Sequence, residues 1–435
     1  MFEFTEQQIM VQRMVRQWAE KELAPALEDL ESERVPPYEL MRKFRDTFGL
    51  TGVVKATFRK MIDKEKKKLA AAASGNGGGG GGGGGGGTAL AQSGALDAAL
   101  AAAPDGGADD DPMRDPSYGS IIAIELSRWS PGFVMAMGAT VGLAGGAIMS
   151  KGTVQQKERF AYPLLTMEKI GAWGMTEPGS GSDAFGSMRT VARREGADFV
   201  LNGSKTFITN APYADTFVIY ARMMEDGKPS SRVHGFICER GMKGLTTSKS
   251  MRKMGMHSSP TGEVFLEDVR VPADQLLGEN ADAPARDQAK DTFHGERTGI
   301  LAMSLGIIER CLDDSTRYAK ERVQWGKPIG EFQLIQEKLA RMFVARENVR
   351  NLLFKQWWMV KNGKKMTMPE ACACKLYSAR MATEVAMEAV QIHGGNGYMR
   401  EFHVEQLARD AKLLQIGGGT DEIQIVTIAR GLLRD

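Results

Sequence analysis

Hydrophobic residues near the N-terminus recur at helical spacing. Thr5, followed three residues later by Gln8, forms a capping-box pattern, and apolar positions continue at broadly helical spacing as far as Pro25. A second stretch of this kind covers about 38–48, and the periodicity returns over about 118–167. We therefore predict that the chain opens with packed helices, of which the first is amphipathic and runs to Pro25.

The pattern changes to short β-rich runs between about 170 and 280. Turn residues separate these runs, and the Asn202-Gly203 pair is typical of a tight hairpin. The pattern favours antiparallel strands in a small β-domain. The runs are Phe199-Val200-Leu201, Thr206-Phe207-Ile208, Phe217-Val218-Ile219-Tyr220, Gly235-Phe236-Ile237-Cys238 and Val264-Phe265-Leu266.

Helical spacing resumes after Pro272, over about 288–320, 332–361 and 368–393, with a last helix opening near Thr420. Helices, then strands, then helices predict an α+β multidomain protein. The predicted units are an N-terminal helical domain (1–168), a middle antiparallel β-domain (169–283) and a C-terminal four-helix-bundle domain (284–435).

One segment, about 57–116, departs from this organisation. It contains a lysine cluster, alanine runs, eleven consecutive glycines from Gly77 to Gly87 and an aspartate run ending at Pro112. The segment has too few large apolar side chains to offset the entropy cost of ordering it. We therefore predict a flexible insertion, with room for short helical ends. A tolerated surface expansion is favoured over a tether or docking arm.

Composition narrows the class of protein. The 56 Lys+Arg nearly balance the 54 Asp+Glu, and 42% of residues are hydrophobic, which disfavours both a polyanion-binding protein and wholesale disorder. The four cysteines lack a C-x-x-C motif, so a disulfide framework or a structural metal site is not expected. We identified neither a membrane-spanning run nor a signal peptide, and predict a cytoplasmic protein.

A glycine- and hydroxyl-rich segment, Gly171-Ala-Trp-Gly-Met-Thr-Glu-Pro-Gly-Ser-Gly-Ser-Asp183, suits ligand binding. Its glycines allow close approach of backbone N–H groups, and its hydroxyls offer donors to a phosphate or a flavin edge. Taken alone, a turn at the rim of the sheet is an equally good interpretation. Four further segments accompany it: Asn202-Gly-Ser-Lys-Thr-Phe-Ile-Thr-Asn210, Arg322-Val-Gln-Trp-Gly-Lys327, Gln391-Ile-His-Gly-Gly-Asn-Gly-Tyr398 and Arg409-Asp-Ala-Lys412.

Together these segments resemble the acyl-CoA dehydrogenase family, over essentially the whole chain except the insertion. The resemblance implies a flavoprotein that oxidises acyl-CoA thioesters to trans-2-enoyl-CoA. It implies FAD between the β-domain and the C-terminal helices, electron transfer to an electron-transfer flavoprotein, and a homo-oligomer, most simply a tetramer built as a dimer of dimers.

The resemblance also implies cofactor contacts at particular positions. Some contact the flavin and its pyrophosphate, others the adenosine diphosphate, and the family takes several of the latter from a neighbouring subunit. The positions are Trp173, Met175, Thr176, Gly181, Ser182, Phe207, Thr209, Arg322, Trp325, Gln333, Gln391, Gly394, Gly395, Thr420 and Glu422.

The catalytic base takes one of two positions in the family. The usual one is a Glu near the C-terminus, but here that stretch reads Gly417-Gly418-Gly419-Thr420. The second position matches Glu296, which isovaleryl-CoA and long-chain members use, followed by Arg297 on the acyl-CoA side of the pocket. Apart from the family, a Glu-Arg pair on a helix is more often a solvated charge pair.

The same stretch bears on the substrate. The resemblance gives the Gly418 backbone N–H the role of oxyanion donor and places Gly417 on the floor of the acyl pocket, with Ser182 and Arg297 as further substrate contacts. A floor without side chains favours a branched or cyclic acyl group over a straight chain.

Two other classes remain open at this point. One is a flavin monooxygenase or nitroalkane oxidase on the same scaffold, which the Glu296-Arg297 pair argues against. The other is a non-catalytic relative that binds DNA, which would need a strongly basic patch that the balanced charge does not indicate.

Overall fold

The computed structural model describes residues 3–73, 115, 117–279 and 286–433, with the backbone alone at residue 73 and over 286–298. In chain order, a helical part, a β-sheet and a second helical part follow one another. The predicted fold class, with a sheet in the middle and a helical bundle at the C-terminus, is confirmed.

The first helix starts as predicted but does not end at Pro25. Thr5 and Gln8 form the reciprocal capping box at the start of α1 (Glu6–Trp18). A π-helical turn, Ala19–Leu23, then leads directly into α2 (Ala24–Glu31). Pro25 lies in the first turn of α2, where the wider π-turn accommodates its missing N–H, so the helical path continues.

The predicted insertion begins with a helical end, which is longer than the short one that the sequence suggested. After α3 (Tyr38–Thr47), α4 covers Leu50–Ala73. Phe58 and Ile62 lie one turn apart on α4 and are 7% and 3% exposed. This apolar stripe and the high helix propensity of alanine explain the difference. Residues 74–114 and 116 of the predicted insertion, which include the glycine run, lie outside the described residues.

The remaining helices of the first part include a stretch with the length and composition of a membrane span. An 18-residue window within Pro131–Lys151 has a mean hydropathy of 1.6, so the prediction that no apolar run reaches the length of a membrane span was wrong by this measure. Two-thirds of that window is buried, and Phe133 and Ile148 belong to the core. The helices are α5 (Ser117–Ser127), α6 (Pro131–Gly138), α7 (Gly146–Lys151), α8 (Val154–Gln156) and α9 (Tyr162–Leu165), with π-helical turns at Ala139–Gly145 and Lys157–Ala161.

The middle part is a seven-stranded sheet in which most, but not all, pairings are antiparallel. Two pairings made by β4, with β1 and with β2, are parallel. Runs of apolar residues identify strands without revealing their partners, so the sequence did not show this. The strands are β1 (Gly171–Gly174), β2 (Val191–Glu195), β3 (Asp198–Thr209), β4 (Thr216–Glu225), β5 (Lys228–Glu239), β6 (Leu245–Thr247) and β7 (Thr261–Val271).

The β4 strand is buried on both faces. Phe217 and Ile219 belong to the core of the sheet itself, whereas Val218 and Tyr220 pack into the core formed by the N-terminal helices. Such two-sided burial gives a continuous apolar run rather than an alternating one.

The Asn202-Gly203 pair is not a hairpin turn. Both residues lie inside β3, at a shift in its register with β7. Asn202 exchanges two hydrogen bonds with Asp268, each 2.9 Å long. A Cβ at Gly203 would come within 2.8 Å of Thr190, the residue before β2, so this close approach requires the glycine here.

The C-terminal part is a bundle of long helices. They are α10 (Arg286–Glu321), α11 (Gln333–Lys361), α12 (Met368–His393), α13 (Val404–Leu414) and α14 (Asp421–Leu432). The α13 helix was not predicted. A two-stranded hairpin, β8 (Val323–Gln324) and β9 (Lys327–Pro328), connects α10 to α11.

Candidate active site

The loop that follows β1, residues 175–190, is anchored by a buried ion pair. Lys205, fully buried on β3, donates to Glu177 Oε1 at 2.8 Å and to the Met175 carbonyl at 3.2 Å. The Glu177 carboxylate also accepts the backbone N–H groups of Arg189 and Thr190. One side-chain pair therefore closes both ends of the loop, which we call the β1 loop.

The charges of this pair depend on each other. Burial lowers the pKa of Lys205 to about 8, although Glu177 opposes that shift. Burial acting alone would raise the pKa of Glu177, but the Lys205 ammonium and the N–H donors hold it below its ordinary value. The carboxylate therefore stays ionised, and the ammonium compensates its buried charge.

The outer side of the β1 loop keeps polar groups available for a ligand. The hydroxyls of Thr176 and Ser182 make no hydrogen bond within the described part of the chain, and a Cβ at Gly181 would meet nothing. The loop is tied to β3 by the Thr206 N–H, which donates to the Thr176 carbonyl at 2.9 Å. These groups match the hydroxyl donors that the sequence predicted.

Phe207 stands out on β3. Its φ is +57°, it lies in a register shift between Lys205 and Ile208, and its side chain is 67% exposed. A bulky residue at positive φ is strained, and such strain is common at ligand sites. The bulge presents a flat aromatic ring outside the sheet, next to Thr209. The sequence indicated the residue but not its backbone conformation.

Two predicted flavin contacts, Trp173 on β1 and Met175 at the start of the β1 loop, have different environments. Trp173 is partly exposed and packs edge-on against Tyr220, with ring centroids 5.5 Å apart. Met175 is 1% exposed and its side chain belongs to the core of the N-terminal helices. Only the backbone of Met175 is therefore placed to contact a ligand in this conformation.

The predicted adenosine-diphosphate contacts lie on the surface of the C-terminal part. Trp325, at the tip of the β8–β9 hairpin, is 92% exposed with φ +55°. Within the described residues, none of this set hydrogen-bonds to the β1 loop. The other members, all exposed, are Arg322, Gln333, Gln391, Gly394 and Gly395.

The second candidate element is the segment Gly417–Gly419, which we call the glycine loop. Gly418 and Gly419 have φ values of +64° and +90°, which glycine adopts without strain. Gly417 N–H donates to the Leu413 carbonyl at 2.8 Å, closing the end of α13. In the part of the chain that the structure describes, the Gly418 N–H has no acceptor, so it is available to a ligand oxygen.

Residues flanking the glycine loop are also fixed in place. Thr420 is the N-cap of α14, and its hydroxyl accepts the Ile423 N–H. Glu422 is exposed in the first turn of α14, where its own backbone N–H and the Thr420 hydroxyl lower the pKa of its carboxyl. Two buried residues that the sequence did not indicate, Lys375 and Gln424, bind the loop carbonyls.

The predicted base, Glu296, lies in the first half of α10. Glu296 and Arg297 belong to α10 (Arg286–Glu321), but both side chains fall outside the described residues. The structure therefore shows their position in the chain path and nothing of their contacts.

Comparison with known protein families identifies the class. The chain matches the model of the acyl-CoA dehydrogenase middle domain over residues 172–269 and that of the acyl-CoA dehydrogenase C-terminal domain over 286–433. The chain belongs to the acyl-CoA dehydrogenase family, and it is an oxidoreductase of that family.

Curated relatives agree with this assignment. The short-chain-specific acyl-CoA dehydrogenase of Megasphaera elsdenii is 41% identical over 330 residues, covering 76% of this chain and 85% of that protein. The mitochondrial isovaleryl-CoA dehydrogenase of Arabidopsis thaliana is 38% identical over 320 residues, covering 73% and 76%. Subunit CarC of the caffeyl-CoA reductase–Etf complex of Acetobacterium woodii is 38% identical over 292 residues, covering 67% and 76%.

A solved structure extends the similarity to the fold. Butyryl-CoA dehydrogenase from Megasphaera elsdenii superposes with a TM-score of 0.80 at 33% identity, over 99% of each chain. The helix–sheet–helix order described above is therefore the architecture of this family.

Proposed function

We propose that this enzyme removes the α- and β-hydrogens of a short branched or cyclic acyl-CoA thioester and forms the trans-2-enoyl-CoA. The observation that carries the proposal is the Gly418 N–H, which has no acceptor among the described residues and can donate to a thioester oxygen. One preformed donor of this kind is typically worth about 3 kcal/mol of activation free energy.

The residues of the site fit FAD. An exposed aromatic ring at Phe207 and the open backbone at Gly181 suit a flat, acceptor-rich ring system and its pyrophosphate. The hydroxyls of Thr176 and Ser182, which make no hydrogen bond to the residues that the structure describes, add two donors. Trp173, Met175 and Thr209 complete the flavin side, and Thr420 and Glu422 border it. Bound FAD supplies the acceptor for the substrate β-hydrogen as hydride.

We assign the catalytic base to Glu296. A base must reach the α-proton of the thioester, and Gly418 occupies the position where most of the family carries the Glu. Gly418 also has a left-handed backbone that disfavours any side chain. Glu296 then takes the α-proton, while Arg297 and Ser182 bind the acyl-CoA side of the pocket.

The branched-chain preference rests on space at Gly417. A Cβ there would lie 3.5 Å from the Leu413 carbonyl and 4.0 Å from Leu413 Cγ, which is ordinary van der Waals contact. The pocket floor therefore has room that a larger side chain would fill. The relative named isovaleryl-CoA dehydrogenase supports a branched acyl group, whereas the short-chain-specific relative supports a straight one.

Exposed apolar residues on the C-terminal part support a homo-oligomer, which we propose to be a dimer of dimers. Trp325 is 92% exposed, Leu334 79% and Tyr398 79%, an unusual exposure for a monomer. Contacts from Arg322, Trp325, Gln333, Gln391, Gly394 and Gly395 to the FAD of a neighbouring copy would bury this surface. The proposed electron acceptor is an electron-transfer flavoprotein, as the name of the CarC relative suggests for its complex. We place the enzyme in the cytoplasm.

Flavin reduction tests the proposal directly. The FAD-loaded enzyme, mixed anaerobically with butyryl-, isovaleryl- and cyclohexanecarboxyl-CoA, should lose its flavin absorbance fastest with a branched or cyclic thioester. Rapid reoxidation by oxygen alone would favour a monooxygenase or nitroalkane-oxidase reaction instead. A protein that binds DNA and reduces no flavin would favour the non-catalytic class.

The base assignment has its own test. Glu296→Gln keeps the shape of the side chain and removes its basicity, so flavin reduction should fall by at least about 10²-fold while FAD and thioester binding stay near normal. Reduction at the wild-type rate would assign the base elsewhere, with Glu422 and Asp421 the next carboxylates to substitute.

A further inference from the structure

Two buried side chains hold the glycine loop from beneath. Lys375, on α12, has no exposed surface, and its Nζ donates to the Gly419 carbonyl at 2.8 Å. Gln424 Nε2, on α14, donates to the Gly418 carbonyl at 3.1 Å and to the Gly419 carbonyl at 2.8 Å. A buried ammonium group carries a large desolvation cost, so a contact that compensates it defines the local conformation.

These contacts fix the peptide that carries the oxyanion donor. On one side, the Gly417 N–H binds the last turn of α13. On the other side, the Gly418 carbonyl binds Gln424, and the next carbonyl binds Gln424 and Lys375. Two consecutive left-handed glycines have many alternative conformations, so the direction of the Gly418 N–H depends on these anchors.

We propose that Lys375, with Gln424, is a positioning residue of the dehydrogenation reaction: it orients the Gly418 N–H toward the thioester carbonyl oxygen. The inference rests on the proposed function, which makes Gly418 the oxyanion donor.

One purely structural role for Lys375 is charge balance with Asp421, a carboxylate of the described part of the chain. The geometry favours the positioning role, because Nζ lies 2.8 Å from the Gly419 carbonyl but 3.8 Å from Asp421 Oδ1. Asp421 has a closer cationic partner in Arg380, whose Nε donates to Oδ2 at 2.9 Å. The lysine therefore contacts the loop more closely than it contacts the carboxylate.

The kinetic test uses Lys375→Met in the FAD-loaded enzyme. We expect kcat to fall about 10- to 100-fold, as for a small misplacement of a catalytic group, with KM changed less than about threefold. The double variant Lys375→Met/Asp421→Asn also removes the carboxylate whose charge Lys375 would balance in a purely structural role. We expect kcat to stay as low as in Lys375→Met, and recovery of kcat to the wild-type value would overturn the proposal.

A control and a second variant accompany this test. Lys355→Met removes an exposed ion pair with Glu370 and should leave kcat unchanged. If Lys375→Met fails to fold, Gln424→Leu removes the other donor without stranding a buried ion, and it should give the same loss of kcat. A wild-type kcat in Gln424→Leu would overturn the proposal.

Spectroscopy separates failure of this inference from failure of the proposed function. The probe is crotonyl-CoA labelled with ¹³C at the carbonyl, bound to the FAD-loaded enzyme and followed by infrared difference spectroscopy. A hydrogen bond lowers the carbonyl stretching frequency, so we expect a lowered frequency in the wild type and values nearer free crotonyl-CoA in Lys375→Met and Gln424→Leu. Equal lowering in all three proteins would overturn the positioning role, and no lowering in the wild type would overturn the oxyanion assignment itself.

Discussion

The β1 loop and the glycine loop are each anchored by a fully buried lysine, but the two lysines bind different partners. Lys205 lies 2.8 Å from the carboxylate of Glu177, which in turn binds two backbone N–H groups of its loop. Lys375 binds a carbonyl of its loop directly at 2.8 Å, and among the described residues the carboxylate of Asp421 lies 3.8 Å from it. Lys205 therefore acts mainly through a carboxylate that shapes its loop, with a longer contact of 3.2 Å to the Met175 carbonyl, whereas Lys375 contacts its loop most closely at a carbonyl.

This difference predicts unequal consequences for stability. Lys205→Met leaves the buried Glu177 carboxylate without its counterion, so the free energy of unfolding should fall by about 3 to 5 kcal/mol. Lys375→Met leaves Asp421 with Arg380, so the loss should be about 1 to 3 kcal/mol. Urea unfolding of the two variants measures both values.

The control for this comparison is Lys205→Met/Glu177→Gln, which removes the stranded charge. It should regain part of the stability that Lys205→Met loses. If Lys205→Met and Lys375→Met lose equal free energy, the distinction between an ion pair and a carbonyl anchor does not govern the two loops.

A third group of charges lies near the glycine loop and gives the stability of the protein a pH dependence. His257 Nδ1 lies 3.0 Å from Glu31 of α2, and its Nε2 lies 2.9 Å from the Lys253 carbonyl. Arg409 of α13 lies 3.4 Å from Nδ1 of His257, the nitrogen that faces Glu31. The neighbouring Asp410 accepts the Met256 N–H. The N-terminal helices, the sheet region and α13, which leads into the glycine loop, therefore meet at these residues.

The sign of the pH dependence follows from the pKa of His257. The hydrogen bond to Glu31 raises that pKa above its ordinary value of 6.5, although burial and Arg409 oppose the shift. A raised pKa in the folded state stabilises the protein below pH 6.5, and this contribution disappears as the pH rises through the folded-state value. Burial also raises the pKa of Asp410 to about 7, which acts in the same direction.

The variant His257→Gln isolates the histidine contribution. Wild type should exceed it in unfolding free energy by about 1.5 to 3 kcal/mol below pH 6.5, the value of a charged hydrogen bond, with a smaller difference at pH 8.5. Asp410 is present in both proteins, so its titration largely cancels in the comparison. A difference that stays constant with pH would show that His257 does not bind Glu31 as an imidazolium.

A substitution at Gly417 tests whether the glycine loop leaves space for a branched acyl chain. Gly417→Tyr adds bulk where a Cβ has room, so a straight chain should pass more easily than a chain that branches near the thioester. Discrimination of this kind is worth about 1 to 3 kcal/mol. We expect kcat/KM for isovaleryl-CoA to fall about 10- to 200-fold relative to butyryl-CoA.

Gly417→Ala is the matched control, because it changes the backbone entropy but adds little volume, and it should discriminate less. Equal losses on branched and straight thioesters in Gly417→Tyr would place the pocket floor elsewhere and remove the argument for a branched substrate.

The sequence predicted the fold class and the loops better than it predicted what anchors the loops. Periodicity located the helices, and motif segments located the β1 loop, because both signals are local. Lys205 and Lys375 carry no local signal for burial, since lysine is ordinarily a surface residue and only tertiary packing makes it an anchor. The hairpin predicted at Asn202-Gly203 was wrong for the opposite reason. Here a strong local turn signal is present, but the pairing of β3 with its neighbours overrides it.

The smallest effect on stability is expected from deleting the segment after α4, in contrast to changes in the two anchored loops. Joining Ala73 to Asp115 through a short flexible linker removes residues 74–114 and keeps Asp115, which accepts the Ser117 N–H at 2.9 Å. Loop-closure entropy varies only logarithmically with length, so stability should change by about 1 kcal/mol or less. Flavin reduction should remain at the wild-type level. Joining Lys64 to Pro116 instead also removes Glu65, which binds Lys157 at 2.7 Å, and Lys66, which binds Glu158 at 2.7 Å. The shorter variant should therefore be the less stable of the two in urea, and loss of FAD from the longer one would show that the removed segment supports the site.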